Sequence, residues 1–273
     1  MLLKGKGEMI NKKKAIEYFK EAIKNENAKA MYKYALILKE ENKKEIIRLI
    51  KMASDKGYSK ALYQYVTYLI SKFSTINDRS IIIKLLKNAA YLGHKDSMYE
   101  YAISLYNKDD PIYTDEILKF LKKASDKGQI DSIFFYGILL TNGELIQPDP
   151  RNGLRYIKIA ADNGNSEAMN YYSNYLYNND FGYDNKEEII KYYKKAIDLG
   201  NTDSMNNYGL MIIEGNADIF DKKEAYKYLK MSIDNGDDEA ISSYAYAISH
   251  NENNKEESIK LYKIAIEKGD TVA

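Results

Sequence analysis

The hydrophobic residues of this chain recur four residues apart in two kinds of short segment. In the first kind a small residue, a tyrosine and a leucine follow one another, as at Ala168, Tyr172 and Leu176. In the second kind a large apolar residue precedes an alanine, as at Tyr156 and Ala160. Side chains four residues apart lie on one face of an α-helix. The pattern therefore predicts two kinds of amphipathic helix, which alternate along the chain.

A glycine that follows each segment of the second kind sets the period of this pattern. Successive glycines at this position are 33 to 36 residues apart, and Glu26 occupies the same position in the first copy. A fixed period of this length indicates a repeat protein. We call the residue at this position the turnover residue, because one repeat ends there and the next begins. The turnover residues are Glu26, Gly57, Gly93, Gly128, Gly164, Gly200, Gly236 and Gly269.

Alignment on the turnover position shows which residue types each repeat keeps. Small residues stand four before and four after it, and an aromatic residue or leucine stands eight before it. Eight residues after it every repeat has tyrosine: Tyr34, Tyr65, Tyr101, Tyr136, Tyr172, Tyr208 and Tyr244. We expect this tyrosine column to lie in the core, and it accounts for a quarter of the chain's 27 tyrosines.

Each repeat is thus predicted to be a pair of helices, for example residues 166–177 and 186–199. Glycine after the second helix suits a left-handed C-terminal cap, which strains other residues. Stacked pairs predict an all-α, right-handed superhelical solenoid of about seven to eight two-helix repeats, a single array over residues 1–273. Both ends of the sequence fall inside a repeat, which suggests the hypothesis that the chain is a piece of a longer protein.

The amino-acid composition argues against several kinds of functional site. The 273 residues include no cysteine, which excludes disulfides, thiolate metal sites and a cysteine nucleophile. The formal net charge is +1, whereas a nucleic-acid or anionic-membrane surface is typically basic. The sequence has neither a long apolar segment nor a secretory signal, and we expect a cytoplasmic protein.

Catalytic chemistry has few candidate residues in this sequence. The two histidines, His94 and His250, are about four repeats apart, too far for a shared catalytic or metal site. Gly5-Lys6-Gly7 lacks the ending of a phosphate-binding loop. We therefore expect no enzyme activity, no cofactor and no metal, although a hydrolase that uses only carboxylates stays open as an alternative.

The repeat resembles the Sel1-like repeat family, a relative of the tetratricopeptide repeat. The best-matching residues are Tyr136-Gly137, Asn142-Gly143, Asp149 to Gly153, Tyr156 and Ala160-Ala161 to Gly164. The resemblance covers nearly the whole chain, but tyrosine here replaces a leucine of the family pattern. It implies a non-enzymatic adaptor for a protein or peptide partner. A regulatory array of a larger signalling protein, kinase-linked for example, and an adaptor in ER-associated degradation are the alternatives that it leaves open.

The resemblance also implies where a partner binds, because the first helices of such repeats line a concave groove. The residues that it assigns to this predicted groove are Tyr32, Tyr63, Tyr99, Ile103, Tyr106, Phe134, Ile138, Asn170, Asn174, Tyr177 and Asn206. Their character changes from aromatic to amide along the chain. The aromatic residues are interpreted either as partner anchors or as rings that neighbouring first helices bury.

A row of acids near the start of the first helices, here called the acidic rail, has two interpretations as well. Its members are Asp96, Asp131, Glu167, Asp203 and Glu239. They could receive a basic ligand. Equally, acids in the first turn of a helix stabilise it against the helix dipole by roughly 0.3–1 kcal/mol each.

Overall fold

The computed structural model describes residues 12–38, 42–71, 76–179, 185–215, 221–249 and 254–270. In these residues the chain forms fifteen α-helices and, between the sixth and seventh of them, a short 3-10 helix, Pro111–Tyr113. The helices are α1 Lys12–Lys24, α2 Ala28–Ile37, α3 Lys43–Asp55, α4 Ser59–Ile70, α5 Ile76–Tyr91, α6 Lys95–Tyr106, α7 Thr114–Asp126, α8 Ile130–Asn142, α9 Pro150–Asp162, α10 Ser166–Asn178, α11 Lys186–Asp198, α12 Thr202–Ile213, α13 Lys222–Asp234, α14 Glu239–Ser249 and α15 Lys255–Glu267. His250, Gly5-Lys6-Gly7 and both ends of the sequence lie outside the described residues.

The helices divide into two alternating sets, as the repeat predicts. Even-numbered helices are the first helices of the repeats and odd-numbered helices are the second helices. The chain splits into two compact units, residues 1–132 and 133–273, and the division falls within α8. Inside each unit successive helices pack against one another, and α10, α12 and α14 also contact each other in order. The predicted all-α architecture of stacked helix pairs is confirmed.

The turnover residues all have the left-handed backbone conformation. Their seven glycines have φ angles between 69° and 97°, and Glu26 has a φ of 59°. Such angles strain a residue that carries a Cβ atom. The carboxylate of Glu26 lies 2.7 Å from Nζ of Lys56, so the strained residue makes a link to the next turnover.

The residue after the turnover caps the first helix that follows. Side chains of Asn27, His94, Asn165 and Asn201 each accept a hydrogen bond from a main-chain N–H in the first turn of the next helix. These bonds satisfy donors that the helix itself leaves unpaired. The side chain of Tyr58 makes no such bond to α4.

The tyrosine column packs inside each repeat against the large column of the second helix. The ring centroids of Tyr136 and Tyr156 lie 5.2 Å apart, and those of Tyr172 and Tyr192 lie 5.3 Å apart, both edge to face. Four members of the column are buried, namely Tyr101, Tyr172, Tyr208 and Tyr244. The expectation of a fully buried column is wrong for Tyr34, Tyr65 and Tyr136, which are half-buried. A phenol keeps its hydroxyl near water while its ring packs.

A lysine stands six residues before each turnover, and several lysines of this column contact the next repeat. The residues kept in each repeat do not predict these contacts. Nζ of Lys158 lies 5.4 Å from the centroid of the Tyr172 ring, and that of Lys230 lies 5.0 Å from the Tyr244 ring. Lys158 also forms an ion pair with Glu188 of the following second helix. Lys158 thus connects α9 to both helices of the next repeat. Lys87 does the same for α5, because its Nζ lies 5.8 Å from the Tyr101 ring and 3.7 Å from the carboxylate of Glu116.

Candidate functional site

The residues of the predicted groove lie on first helices, and almost all of them are half-buried. In the first unit Tyr32 lies in α2, Tyr63 in α4, and Tyr99, Ile103 and Tyr106 in α6. In the second unit the half-buried members are Phe134 and Ile138 in α8 and Asn170, Asn174 and Tyr177 in α10. Asn206 in α12 is different, because only 8% of its surface is exposed. The aromatic rings are therefore neither free on the surface nor sealed in the core.

Several of these rings pack on neighbours inside their own unit. The Tyr32 ring lies 5.3 Å from that of Tyr58, and the Phe134 ring lies 6.1 Å from that of Tyr171. The Tyr63 ring lies 4.8 Å from the imidazole of His94. Packing of this kind fixes the orientation of the rings.

An aromatic–acidic cluster surrounds Tyr63 in the first unit. It consists of Tyr63, His94, Asp96, Glu100 and Asp131. Nε2 of His94 lies 3.8 Å from Oδ2 of Asp96. The charges of Glu100, Asp96 and Asp131 all add to the effect of burial, which raises the pKa of the Tyr63 hydroxyl. Three carboxylates that the sequence separates by up to 35 residues thus act on one ring.

The electrostatics of this cluster favour a cation. Burial raises the pKa of the Glu100 carboxyl above its ordinary value, and the charges of Asp131 and Asp96 raise it further. Burial lowers the pKa of His94, and the charges of Lys60 and Lys95 lower it further, against the opposing charge of Asp96. His94 is therefore neutral at neutral pH, so it does not balance the carboxylates. A positively charged group would relieve the repulsion among the three acids.

Neutral His94 also stabilises the start of α6. Its Nδ1 accepts a hydrogen bond of 3.3 Å from the main-chain N–H of Ser97, and so it caps α6. The ring cannot lose this role without freeing the start of the helix. The same Nδ1 lies 3.0 Å from the hydroxyl oxygen of Ser97, which is fully buried, so both contacts belong to the start of α6. The structure therefore assigns His94 a capping function.

The acidic rail lies in the first turns of its helices throughout. Asp96 is at the start of α6, Asp131 of α8, Glu167 of α10, Asp203 of α12 and Glu239 of α14. All except the half-buried Asp96 are exposed. This placement suits the helix dipole, and it also keeps the carboxylates accessible. Both interpretations of the rail fit the geometry.

An amide patch forms the corresponding surface of the second unit. It consists of Asn170 and Asn174 in α10 and Asn206 in α12. Oδ1 of Asn170 accepts hydrogen bonds of 3.1 Å from both Ser204 and Asn207. Oδ1 of Asn174 accepts a hydrogen bond from the hydroxyl of Tyr193. The side-chain oxygens of α10 thus point into the protein.

Glu100, Asn207 and Tyr193 also belong to these surfaces, although the sequence pattern does not indicate them. Glu100 and Asn207 stand one residue before the tyrosine column, at a position where the repeats share no residue type. Tyr193 stands seven residues before a turnover, in a column that is otherwise mostly Leu and Ile. Each belongs to a single repeat, so no column signals it.

Cavities in the described residues are shallow clefts between helices. One of about 430 Å³ lies between α8 and α9 and is lined by residues such as Tyr136, Tyr156 and Arg155. The carboxylate of Asp149, at its edge, caps α9 by accepting from the main-chain N–H of Asn152. Among the described residues no three His, Asp or Glu side chains are placed to hold a metal ion. In the same residues we find no helix that combines the length and hydrophobicity needed to cross a membrane.

Two of the solved structures that share this architecture illustrate the likeness. One is c5321, a protective antigen present in uropathogenic Escherichia coli strains that displays an SLR fold; it is 16% identical, with a TM-score of 0.74. The match covers 94% of this chain and 57% of that one, so this chain spans little more than half of the c5321 structure. The other is a Sel1 repeat protein from Oxalobacter formigenes, 16% identical, with a TM-score of 0.65 over 82% of this chain and 92% of that one. At these identities the likeness concerns the fold.

Sequence comparison identifies the repeat itself. No curated protein matches the chain. The family model for the Sel1 repeat matches residues 1–27, 130–165, 166–201, 202–237 and 245–270, which make up more than half of the sequence. The repeats between residues 28 and 129 lie outside these matches, and there the column pattern and the helix pairs identify them. The chain belongs to the Sel1 repeat family.

Proposed function

We propose that this chain is a non-enzymatic protein-interaction scaffold, and that a basic side chain of its partner binds at the aromatic–acidic cluster. Sel1 repeats typically serve as scaffolds for protein interactions. The observation that carries the proposal is the position of Glu100. Burial of its carboxyl raises its pKa, and the charges of Asp131 and Asp96 raise it further.

A lysine or arginine side chain has the chemistry that this cluster needs. Its charge would offset the repulsion among Asp96, Glu100 and Asp131. The face of a tyrosine ring attracts cations, by roughly 0.5–1 kcal/mol at exposed sites and more where water is excluded. The half-buried ring of Tyr63 stands beside the three carboxylates and is held by His94. The cluster thus combines long-range attraction with a defined contact.

The test begins with identification of the partner, by cross-linking in cells and mass spectrometry of the captured proteins. Binding of the purified partner is then measured for Tyr63→Ser and for Glu100→Gln, each of which should weaken it at least severalfold. Tyr18→Ser is the matched control, because Tyr18 in α1 is 61% exposed and remote in sequence from the cluster. Circular dichroism checks that each variant keeps its helices.

Three results would refute this function. Unchanged binding in both cluster variants would show that the partner does not bind at the cluster. An equal loss of binding in the Tyr18→Ser control would show that the loss is not specific to the cluster. Catalytic conversion of a substrate by the purified chain would show that the protein is an enzyme.

A further inference from the structure

Two asparagines of the amide patch, Asn170 and Asn174, use their oxygen acceptors inside the protein but not their N–H donors. An asparagine side chain has one oxygen acceptor and two N–H donors. In Asn170 the oxygen is occupied by Ser204 and Asn207. In Asn174 it is occupied by the hydroxyl of Tyr193. Burial raises the pKa of that hydroxyl, so it keeps its proton and acts as the donor. The Nδ2 groups of Asn170 and Asn174 have no partner among the described residues and are open to solvent.

Asn206 adds a second and independent observation. More than nine-tenths of its surface is buried, and its Oδ1 has no hydrogen-bond partner among the described residues. A buried carbonyl oxygen without a donor is uncommon, because burial removes the water that would otherwise bond to it. The amide torsion of asparagine is soft, so this side chain can turn its oxygen toward a donor that arrives from outside. The position therefore suits a ligand that supplies an N–H group.

We propose that the amide patch binds the main chain of an extended partner segment, with Asn170 and Asn174 donating to its carbonyl oxygens and Asn206 accepting from its N–H. This inference rests on the proposed scaffold function and names the contact that the second unit makes. A peptide main chain offers one carbonyl acceptor and, except at proline, one N–H donor in every residue.

The spacing of the donors fits such a segment. Asn170 and Asn174 are four residues apart on α10, which corresponds to about 6 Å along the helix axis. In an extended chain, carbonyl groups that point to the same side are two residues apart, or about 6.6–6.8 Å. One segment that follows α10 can therefore present successive same-side carbonyls to both amides.

The charges around the patch favour neutral carbonyls over a carboxylate. Glu167 lies one turn before Asn170 on α10, and Asp203 lies one turn before Asn206 on α12. Both acids are exposed in the first turns of their helices. They would repel a free C-terminus or an acidic side chain, whereas the uncharged main chain carries no such penalty.

The experiment uses a cellulose-bound array of N-acetylated decapeptides, linked through their C-termini so that they carry no free terminal carboxylate. The full chain is applied to the array, and the tightest peptide is resynthesised with a C-terminal amide for calorimetry. Asn170→Asp and Asn174→Asp should each weaken its binding at least tenfold. Aspartate keeps the internal acceptor for Ser204 or Tyr193 while it removes the outward donor. Asn163→Asp, the same charge change at the exposed end of α9, should bind like wild type.

Modified versions of the peptide provide a second test. Replacing an amide of the contacted segment with an ester weakens its carbonyl as an acceptor, and this should weaken binding severalfold to the wild type but little to Asn170→Asp. N-methylation at the same residue removes the N–H and keeps the carbonyl, and it separates the two effects.

Several outcomes would overturn the inference. If Asn170→Asp and Asn174→Asp bind like wild type while Glu100→Gln weakens binding, the scaffold function stands and the amide patch has no part in it. A peptide that binds only with a free carboxylate would show that the patch recognises an anion. A chain that captures no peptide from the array, although it folds, would contradict both proposals.

Discussion

Gly137 of α8 and Gly153 of α9 face each other where these two helices cross. A Cβ atom on Gly153 would lie 2.2 Å from Oγ1 of Thr141 and 2.7 Å from the carbonyl oxygen of Gly137. A Cβ atom on Gly137 would lie 2.9 Å from the carbonyl oxygen of Gly153. Only hydrogen atoms fit at this crossing, so the two glycines allow the helix backbones to touch.

Gly153→Ala should therefore lower the free energy of unfolding by about 3 kcal/mol, at the upper end of overpacking costs, because the opposing atoms include backbone that cannot move aside. Gly209→Ala is the matched comparison. There the added atom would meet Cγ of the buried Leu229 at 2.8 Å, but its nearest backbone contact, the carbonyl oxygen of Ala225, lies 3.3 Å away. We expect a smaller loss at Gly209, measured by urea denaturation of both variants. Equal stability of Gly153→Ala and wild type would disprove the close crossing.

The lysine column predicts a coupling between consecutive repeats. Lys158→Met should lower the stability by about 1 kcal/mol, because it removes both the ion pair with Glu188 and the contact with the Tyr172 ring. A double-mutant cycle with Tyr172→Phe measures the coupling through the hydroxyl, and repetition at 1 M salt isolates the ionic part. Strict additivity in the cycle together with insensitivity to salt would show that the lysine merely lies near the ring.

Glu100 predicts a dependence of stability on pH. Its folded-state pKa is raised, so between its ordinary pKa and the raised value the folded chain holds more protons than the unfolded chain. This carboxyl therefore costs stability progressively as the pH rises through that window. Glu100→Gln should melt at a higher temperature than wild type at pH 7, and the difference should vanish on acidification below the ordinary pKa. Thermal melts followed by circular dichroism from pH 4 to 7 measure it; a variant less stable than wild type at pH 7 would show that the carboxylate is well compensated.

The unpaired oxygen of Asn206 should lower the stability of the chain while it contributes to peptide binding. Asn206→Leu replaces a buried carbonyl that lacks a donor by an apolar group of similar size, and we expect a gain of about 1 kcal/mol in the free energy of unfolding. The same variant should bind the array-selected peptide more weakly. Asn174→Leu is the control, because it leaves the buried hydroxyl of Tyr193 without its acceptor and should destabilise the chain. If Asn206→Leu loses stability instead, its amide has an internal role.

The sequence by itself determined the repeat, the helix pairs and their turnover residues. The predicted pair 166–177 and 186–199 corresponds to α10 at Ser166–Asn178 and α11 at Lys186–Asp198. The sequence also placed Glu26 among the glycines, and the structure gives it the same positive φ. These features are local, since residues four apart share a helix face and a backbone angle belongs to one residue. A pattern of types along the chain is therefore enough to predict them.

Only the tertiary structure decided which columns meet and which way the polar side chains of the predicted groove residues point. Lys158 contacts Tyr172 and Glu188 because one second helix packs beside the next repeat, a relation that no spacing along the chain expresses. The outward amide of Asn174 depends on Tyr193, a residue on another helix. The cluster at Tyr63 brings together carboxylates from two later helices. Such contacts depend on how helices cross, and the crossing is set by small residues such as Gly137 and Gly153 that let backbones approach.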